Sequence, residues 1–206
     1  MPDGVDIDAW DAWAPDELAA RLADVGVPWW VCGGWAIDLF RGDQTREHED
    51  IEFAVCRADF PTVRDALLAD GRHDQFCAGN GRVVALEPDE LPSEEYGQVW
   101  TRDRSAGMFR TDTFLDGGNR REWICKRDDR LRLPLTEMIA VSADGVPYQR
   151  PEVVLLMKAK HHREKDEQDL AGSLPYLSAD ARRWLADALE LVHPGHAWLD
   201  PVRTGS

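Results

Sequence analysis

The sequence predicts an α+β fold: a mixed β-sheet with flanking helices, followed by a C-terminal helical segment. Three observations carry this. Near the N-terminus a short apolar run ends in Gly33 and Gly34, a helical stretch follows, and a second run opens on alternating acids and apolar residues. Between residues 73 and 126, short β-type runs alternate with glycine, proline and asparagine turns. From Pro151 onward the pattern is helical. The 206 residues, 43% of them hydrophobic, suffice for an α/β domain over 1–148 with a helical segment over 149–206 packed on it.

Residues 13–26 read as a first helix, with Pro15, Asp16 and Glu17 suiting its start and Gly26 its end. Residues 29–32 make a short buried strand, and 35–40 a short helix closed by Gly42. Residues 50–55 alternate acid and apolar side chains, as a half-buried strand does. A helix over 59–70 has Pro61 near its start and Gly71 at its end. Strand candidates at 75–77, 82–86, 98–100, 108–115 and 122–125 follow, with at least one hairpin. The stretch 87–97 is expected to be a mobile loop. Helices are expected over 151–162, 164–171 and 178–192, the last with Ser178 as N-cap, and the tail 200–206 is expected to be loose.

The net charge of −15 repels nucleic-acid phosphates and attracts cations, which counts against a polymerase or a tRNA-modifying enzyme. It is compatible with a polyamine-like or aminosugar substrate, although acidity for solubility alone is common. No apolar run approaches the length of a bilayer, and the acidic N-terminus has no secretory h-region, so neither a membrane partner nor a secretory signal is expected. Cys32, Cys56, Cys77 and Cys125 are scattered through apolar stretches with no CxxC pair. Buried free thiols in a reducing cytoplasm are expected. Trp29, Trp30, Trp123 and Trp184 lie in apolar patterns and read as core. Trp35 and Trp100 are candidates for core or for a pocket wall.

The chemistry-bearing residues cluster early. A glycine pair between a strand and a helix lets backbone N–H groups approach an anion. Asp50 and Glu52 stand two apart at the head of an expected strand, where alternate side chains share a face. Two acids beside such a glycine turn suit a divalent metal carrying a nucleoside triphosphate. An isolated pair of acids would ordinarily be the solvent face of a strand. Here the pair follows the glycines with Thr45, Arg46 and His48 between.

Gly33, Gly34, Trp35, Ala36, Ile37 and Asp38, then Gly42, Thr45, Arg46, His48, Asp50 and Ile51, resemble the motif of the nucleotidyltransferase superfamily (DNA polymerase beta-like fold). The likeness is greatest to the small aminoglycoside and lincosamide nucleotidyltransferases. It covers about residues 16–175, with gaps through the middle strands. Glu52 departs from the pattern, where the family usually has a second aspartate; it keeps the charge but reaches one methylene further.

The resemblance implies a Mg²⁺-dependent enzyme. It would transfer a nucleoside monophosphate, most simply AMP from ATP, to a hydroxyl of a small cationic molecule such as an antibiotic. It implies Asp50 and Glu52 as metal ligands, with a third acid on a neighbouring strand as ligand or general base. Asp112, in an alternating run, is the candidate for that acid. Asp116 is the alternative, although its position beside Gly117 and Gly118 reads as a turn. Gly33, Gly34 and Arg46 belong to the nucleotide site, and His48 either supports that site or holds the loop. A second block, residues 158–170, resembles a lysine-rich helix found in several proteins of this fold. Spacing alone makes it a solvated face with a Lys165–Asp169 pair. The resemblance instead places Lys158 or Lys165 near the triphosphate, oriented by Asp166 and Asp169. The competing reading is a nucleotide-binding protein of this fold with lost or altered catalysis, a regulatory or toxin–antitoxin module.

Overall fold

The computed structural model describes residues 4–205. Pro15 and the acids behind it open α1 (Pro15–Arg21). β1 (Trp29–Val31) runs almost directly into α2 (Gly33–Arg41), which starts at the first glycine rather than at Trp35. Gly42 ends α2 at φ 77°, a left-handed conformation suited to glycine. β2 spans Glu52–Cys56, so Asp50 lies just ahead of the strand and not in it. After α3 (Phe60–Leu68) come β3 (His73–Gly79), β4 (Arg82–Leu86), β5 (Gln98–Asp103) and β6 (Met108–Gly118), antiparallel neighbours in the order β4-β3-β5-β6.

The next stretch holds elements beyond the sequence reading. β7 (Glu122–Ile124) was expected, but β8 (Arg132–Pro134), the short α4 (Leu135–Met138), β9 (Ile139–Val141) and β10 (Pro147–Gln149) were not. Strands of three residues carry too little periodicity to be read locally. The C-terminal helices are α5 (Pro151–Lys158), α6 (Glu164–Ser173), α7 (Ala179–Val192) and α8 (Leu199–Thr204). The Ser178 hydroxyl caps α7 by accepting the Ala181 N–H at 3.1 Å. The tail expected to be loose is helical to Thr204 and anchored by the fully buried Val202; Ser206 lies outside the described residues.

The main sheet runs β4-β3-β5-β6-β2-β1-β10-β9, with β7 and β8 extending from β6. β2 is parallel to β6 and β1 to β10, while the other pairings are antiparallel. The period of two in β2 sorts its side chains. Phe53 and Val55 enter the large core formed with helices α1, α2, α3, α5 and α7. Ala54 and Cys56 face a second cluster with Trp30, Trp123, Met138 and Val153. All four cysteines are free and buried. The 87–97 segment has no regular structure but is pinned: Arg57 donates to the Pro92 and Tyr96 carbonyls, and buried Arg64 to that of Glu90. That network replaces the expected mobility.

Candidate active site

Glu52 opens β2 directly opposite Asp112 of the parallel strand β6. Register partners on adjacent strands project to the same face, so the two carboxylates are side by side. The Cys32 N–H donates to the Glu52 carbonyl at 2.8 Å and brings Gly33 against this pair. A Cβ on Gly33 would lie 1.6 Å from Glu52 Oε2, and Gly33 has φ 64°. Glycine is therefore required twice over, by backbone conformation and by the carboxylate that occupies the side chain's place. Gly34 plays the same part for the loop, since a Cβ there would lie 2.2 Å from Arg46 Nη2 and 2.6 Å from the His48 ring.

The loop between α2 and β2 is built around Asp38. This buried carboxylate accepts the Thr45 hydroxyl at 2.5 Å and the Thr45 N–H at 3.1 Å, and contacts His48 Nε2 at 2.5 Å. Burial works against its charge, but the His48 and Thr45 hydrogen bonds win and hold its carboxyl below the usual range. His48 stacks on Trp35 with ring centroids 4.5 Å apart. The His48 ring is thus turned into the loop, the second of its two expected placements, and Trp35 covers it. Trp100, the other pocket candidate, packs with Trp10 and Phe109 instead.

Arg46 reaches across to α6 and binds Asp169 at 3.3 and 3.4 Å. Lys158, at the end of α5, contacts the same Asp169 at 2.8 Å and Asp166 at 3.5 Å. Arg163 completes the chain through Asp166 Oδ2 at 2.9 Å. The i, i+4 Lys165–Asp169 pair does not form: Asp169 is taken by Lys158 and Arg46, and Lys165 stands exposed on α6. Buried Asp166 and Asp169 therefore join the motif loop to α5 and α6.

These elements enclose a cavity of about 510 Å³ on the Cys32, Glu52 and Ala54 face of the sheet. Its floor includes Gly33, Gln98, Phe114 and Asp116; its walls include Trp123, Met157, Lys158 and Arg163. Lys126, Arg127 and Lys160 also line it, so five cations face two carboxylates, Glu52 and Asp116. In a protein of charge −15 this is a local reversal of sign. It suits a polyphosphate and not the acid-bordered cleft that net charge alone would suggest. Asp112 lies beneath the cavity surface: its Oδ2 accepts Gln98 Nε2 at 2.6 Å, and its buried Oδ1 has no partner. Asp116 is not a turn residue, because β6 continues through Gly118, where Gly117 and Gly118 pair with β7.

The acids repel one another in a dry setting. Burial, then Glu52 and Asp50, push the Asp112 carboxyl well above the carboxylate range, offset in part by Trp100 and Gln98. Burial, then Asp50, raise Glu52, while Lys158, Lys165 and Arg163 oppose. The consequence for stability has a definite sign. A raised carboxyl favours folding fully below its unfolded pKa of about 4, and that contribution is lost as pH rises toward the folded value. Metal-free Asp112→Asn protein is therefore expected to melt above wild type at pH 8, by at least about 2–4 °C. The difference should shrink toward pH 4, which thermal denaturation at the two pH values would measure.

Sequence reasoning missed Arg163, Lys126, Arg127 and Trp123 as cavity residues. Arg163 lies inside the 158–170 block and was legible as the residue three before Asp166 at a helix start. Lys126 and Arg127 follow a strand with no pattern to mark them. Arg127 donates to the carbonyls of Leu156 and Met157 at 2.8 and 2.6 Å and so ties the β7 end to α5.

Residues 16–91 match the family model of aminoglycoside-2''-adenylyltransferase. The crystal structure of ANT(2'')-Ia with adenylyl-2''-tobramycin is similar at a TM-score of 0.55 and 12% identity, covering 85% of this chain and 95% of that one. This chain has a nucleotidyltransferase-like fold. A solution structure of ANT(2'')-Ia is similar at 0.52 and 15% identity, covering 85% and 89% of the two chains. The lincomycin-bound lincosamide adenylyltransferase LnuA is similar at 0.50 and 16% identity, covering 76% and 92%. At these identities the structural likeness is one of nucleotidyltransferase fold. No curated protein matches the sequence significantly. No helix among the described residues is long and apolar enough to cross a membrane.

Proposed function

We propose that this chain transfers a nucleoside monophosphate, AMP from ATP, to a hydroxyl of a small cationic acceptor of the aminoglycoside or lincosamide kind. The observation that carries the reading is the Glu52 carboxylate seated in the space Gly33 leaves, beside Asp112 and facing Lys158 and Arg163 across the cavity. Two of the similar structures hold an adenylylated aminoglycoside and lincomycin, and that acceptor chemistry is extended to this chain as part of the proposal. Four buried free thiols suit a reducing cytoplasm.

Among the described residues no three acids, histidines or cysteines converge on one point as they stand. The donor chemistry nevertheless fits Mg²⁺. Asp50, Glu52 and Asp112 offer oxygen only, their mutual repulsion calls for a cation, and Asp112 Oδ1 is buried without a partner. Those three acids would hold the metal, which when bound would neutralise the triphosphate and the charge developing on it. Lys158 and Arg163 bind the phosphates, with Lys165 at longer range, and Gly33 and Gly34 bring the start of α2 close to them. Arg46 acts through Asp169 by holding Lys158 in place. The acceptor oxygen bonds to the α-phosphorus, the α–β bridging P–O bond breaks, and pyrophosphate leaves. The hydroxyl proton passes to Asp112, the acid beside Glu52 on the neighbouring strand.

Pyrophosphate release, with ATP and Mg²⁺ and a panel of aminoglycosides and lincosamides, tests the reading. Release that depends on acceptor, together with an acceptor heavier by one AMP in mass spectrometry, is expected. A folded protein that binds ATP yet modifies none of them would reject the acceptor class.

A further inference from the structure

The cavity has two chemically distinct ends. Glu52 feels Lys158, Lys165 and Arg163, the cations of the phosphate end. Asp116 lies four residues along β6 from Asp112, on the same face and opposite Cys56, so its Cα is roughly 13 Å away. Its Oδ2 accepts the Trp123 indole N–H at 2.9 Å, which fixes the carboxylate. Its other oxygen has no hydrogen bond among the described residues. Phe114 and Trp123 line the cavity beside it. Lys126 is held over the Phe114 ring, 4.8 Å from its centroid, and makes no ion pair with Asp116 among the described residues. Arg127 is occupied by the α5 carbonyls. The result is one oriented carboxylate with no direct ion pair among the described residues, flanked by aromatic rings and lying in the field of Lys126.

We propose that Asp116 is the acceptor-recognition residue: its free oxygen receives an ammonium group of the acceptor, while the Trp123 and Phe114 rings carry the adjoining apolar face of the molecule. This rests on the nucleotidyl-transfer reading for the identity of the acceptor and assigns which cavity end takes it. A carboxylate held by an indole N–H gives an ammonium a charge-assisted hydrogen bond at a defined angle, and aromatic faces also attract cations.

Calorimetry on the full chain and on Asp116→Asn separates the possibilities, with tobramycin as the cationic probe and α,β-methylene-ATP with Mg²⁺ as the nucleotide probe. Asparagine keeps the size and can still accept from Trp123, so the fold should persist, as an unchanged melting temperature would verify. Tobramycin affinity is expected to fall at least about tenfold, with the affinity for the ATP analogue within about twofold. Asp116→Glu should recover part of the loss. Equal tobramycin binding in wild type and Asp116→Asn, no tobramycin binding by wild type, or a loss confined to the ATP analogue would each overturn the assignment. Should wild type bind tobramycin through Asp116 without modifying it, the transfer reading fails while this assignment stands.

Discussion

Asp50→Asn is expected to lower nucleotidyl transfer at least about a hundred-fold while leaving the melting temperature nearly unchanged. Asp50 lies ahead of β2, only partly buried, and makes no hydrogen bond or ion pair among the described residues, so no packing depends on it. Its charge nevertheless raises both Glu52 and Asp112. An acid that adds repulsion to its neighbours and touches no cation directly among the described residues is poorly explained by stability alone. A metal resolves that tension. Steady-state rates as a function of Mg²⁺ concentration, with melting curves on the same preparations, make the comparison. Near-normal transfer by folded Asp50→Asn would remove Asp50 from the site.

Lys158→Met should act on fold and nucleotide together. Lys158 is buried between Asp166 and Asp169, themselves almost without solvent exposure. Removing one partner of a buried ion pair strands the other charge, at a cost of about 3–5 kcal/mol. Here Arg163 still serves Asp166 and Arg46 still serves Asp169, so about 3 kcal/mol is expected, or roughly 6–12 °C in Tm for a chain of this size. Binding of α,β-methylene-ATP should weaken at least tenfold even at a temperature where the variant is folded. A variant as stable as wild type would contradict the buried network. Unaltered nucleotide affinity would confine Lys158 to a structural role.

The first motif was legible because its logic is local. Gly33 and Gly34 stand where a strand meets a helix, and the acids follow within twenty residues. Asp50 was still placed one element too late, since two acids two apart looked like one strand face, whereas β2 begins only at Glu52. Long-range pairing was not legible. Arg46 and Asp169 lie 123 residues apart, and nothing in the 158–170 block distinguishes a buried Lys158 from a solvated Lys165. Asp116 was misread because two glycines after it signal a turn; β7, which lets the strand continue through them, lies beyond the reach of a local pattern. Net charge did not reveal the cavity's lining, because −15 describes the whole surface whereas five cations and two carboxylates line the cavity.

A crystal structure with Mg²⁺ and α,β-methylene-ATP tests the central claim most directly. The account predicts the metal bound by Asp50 and Glu52, with Asp112 as third ligand or facing the acceptor side, and the triphosphate running from the start of α2 at Gly33 and Gly34 toward Lys158 and Arg163. A nucleotide seated elsewhere, or a metal with Glu52 turned away from it, would contradict the account.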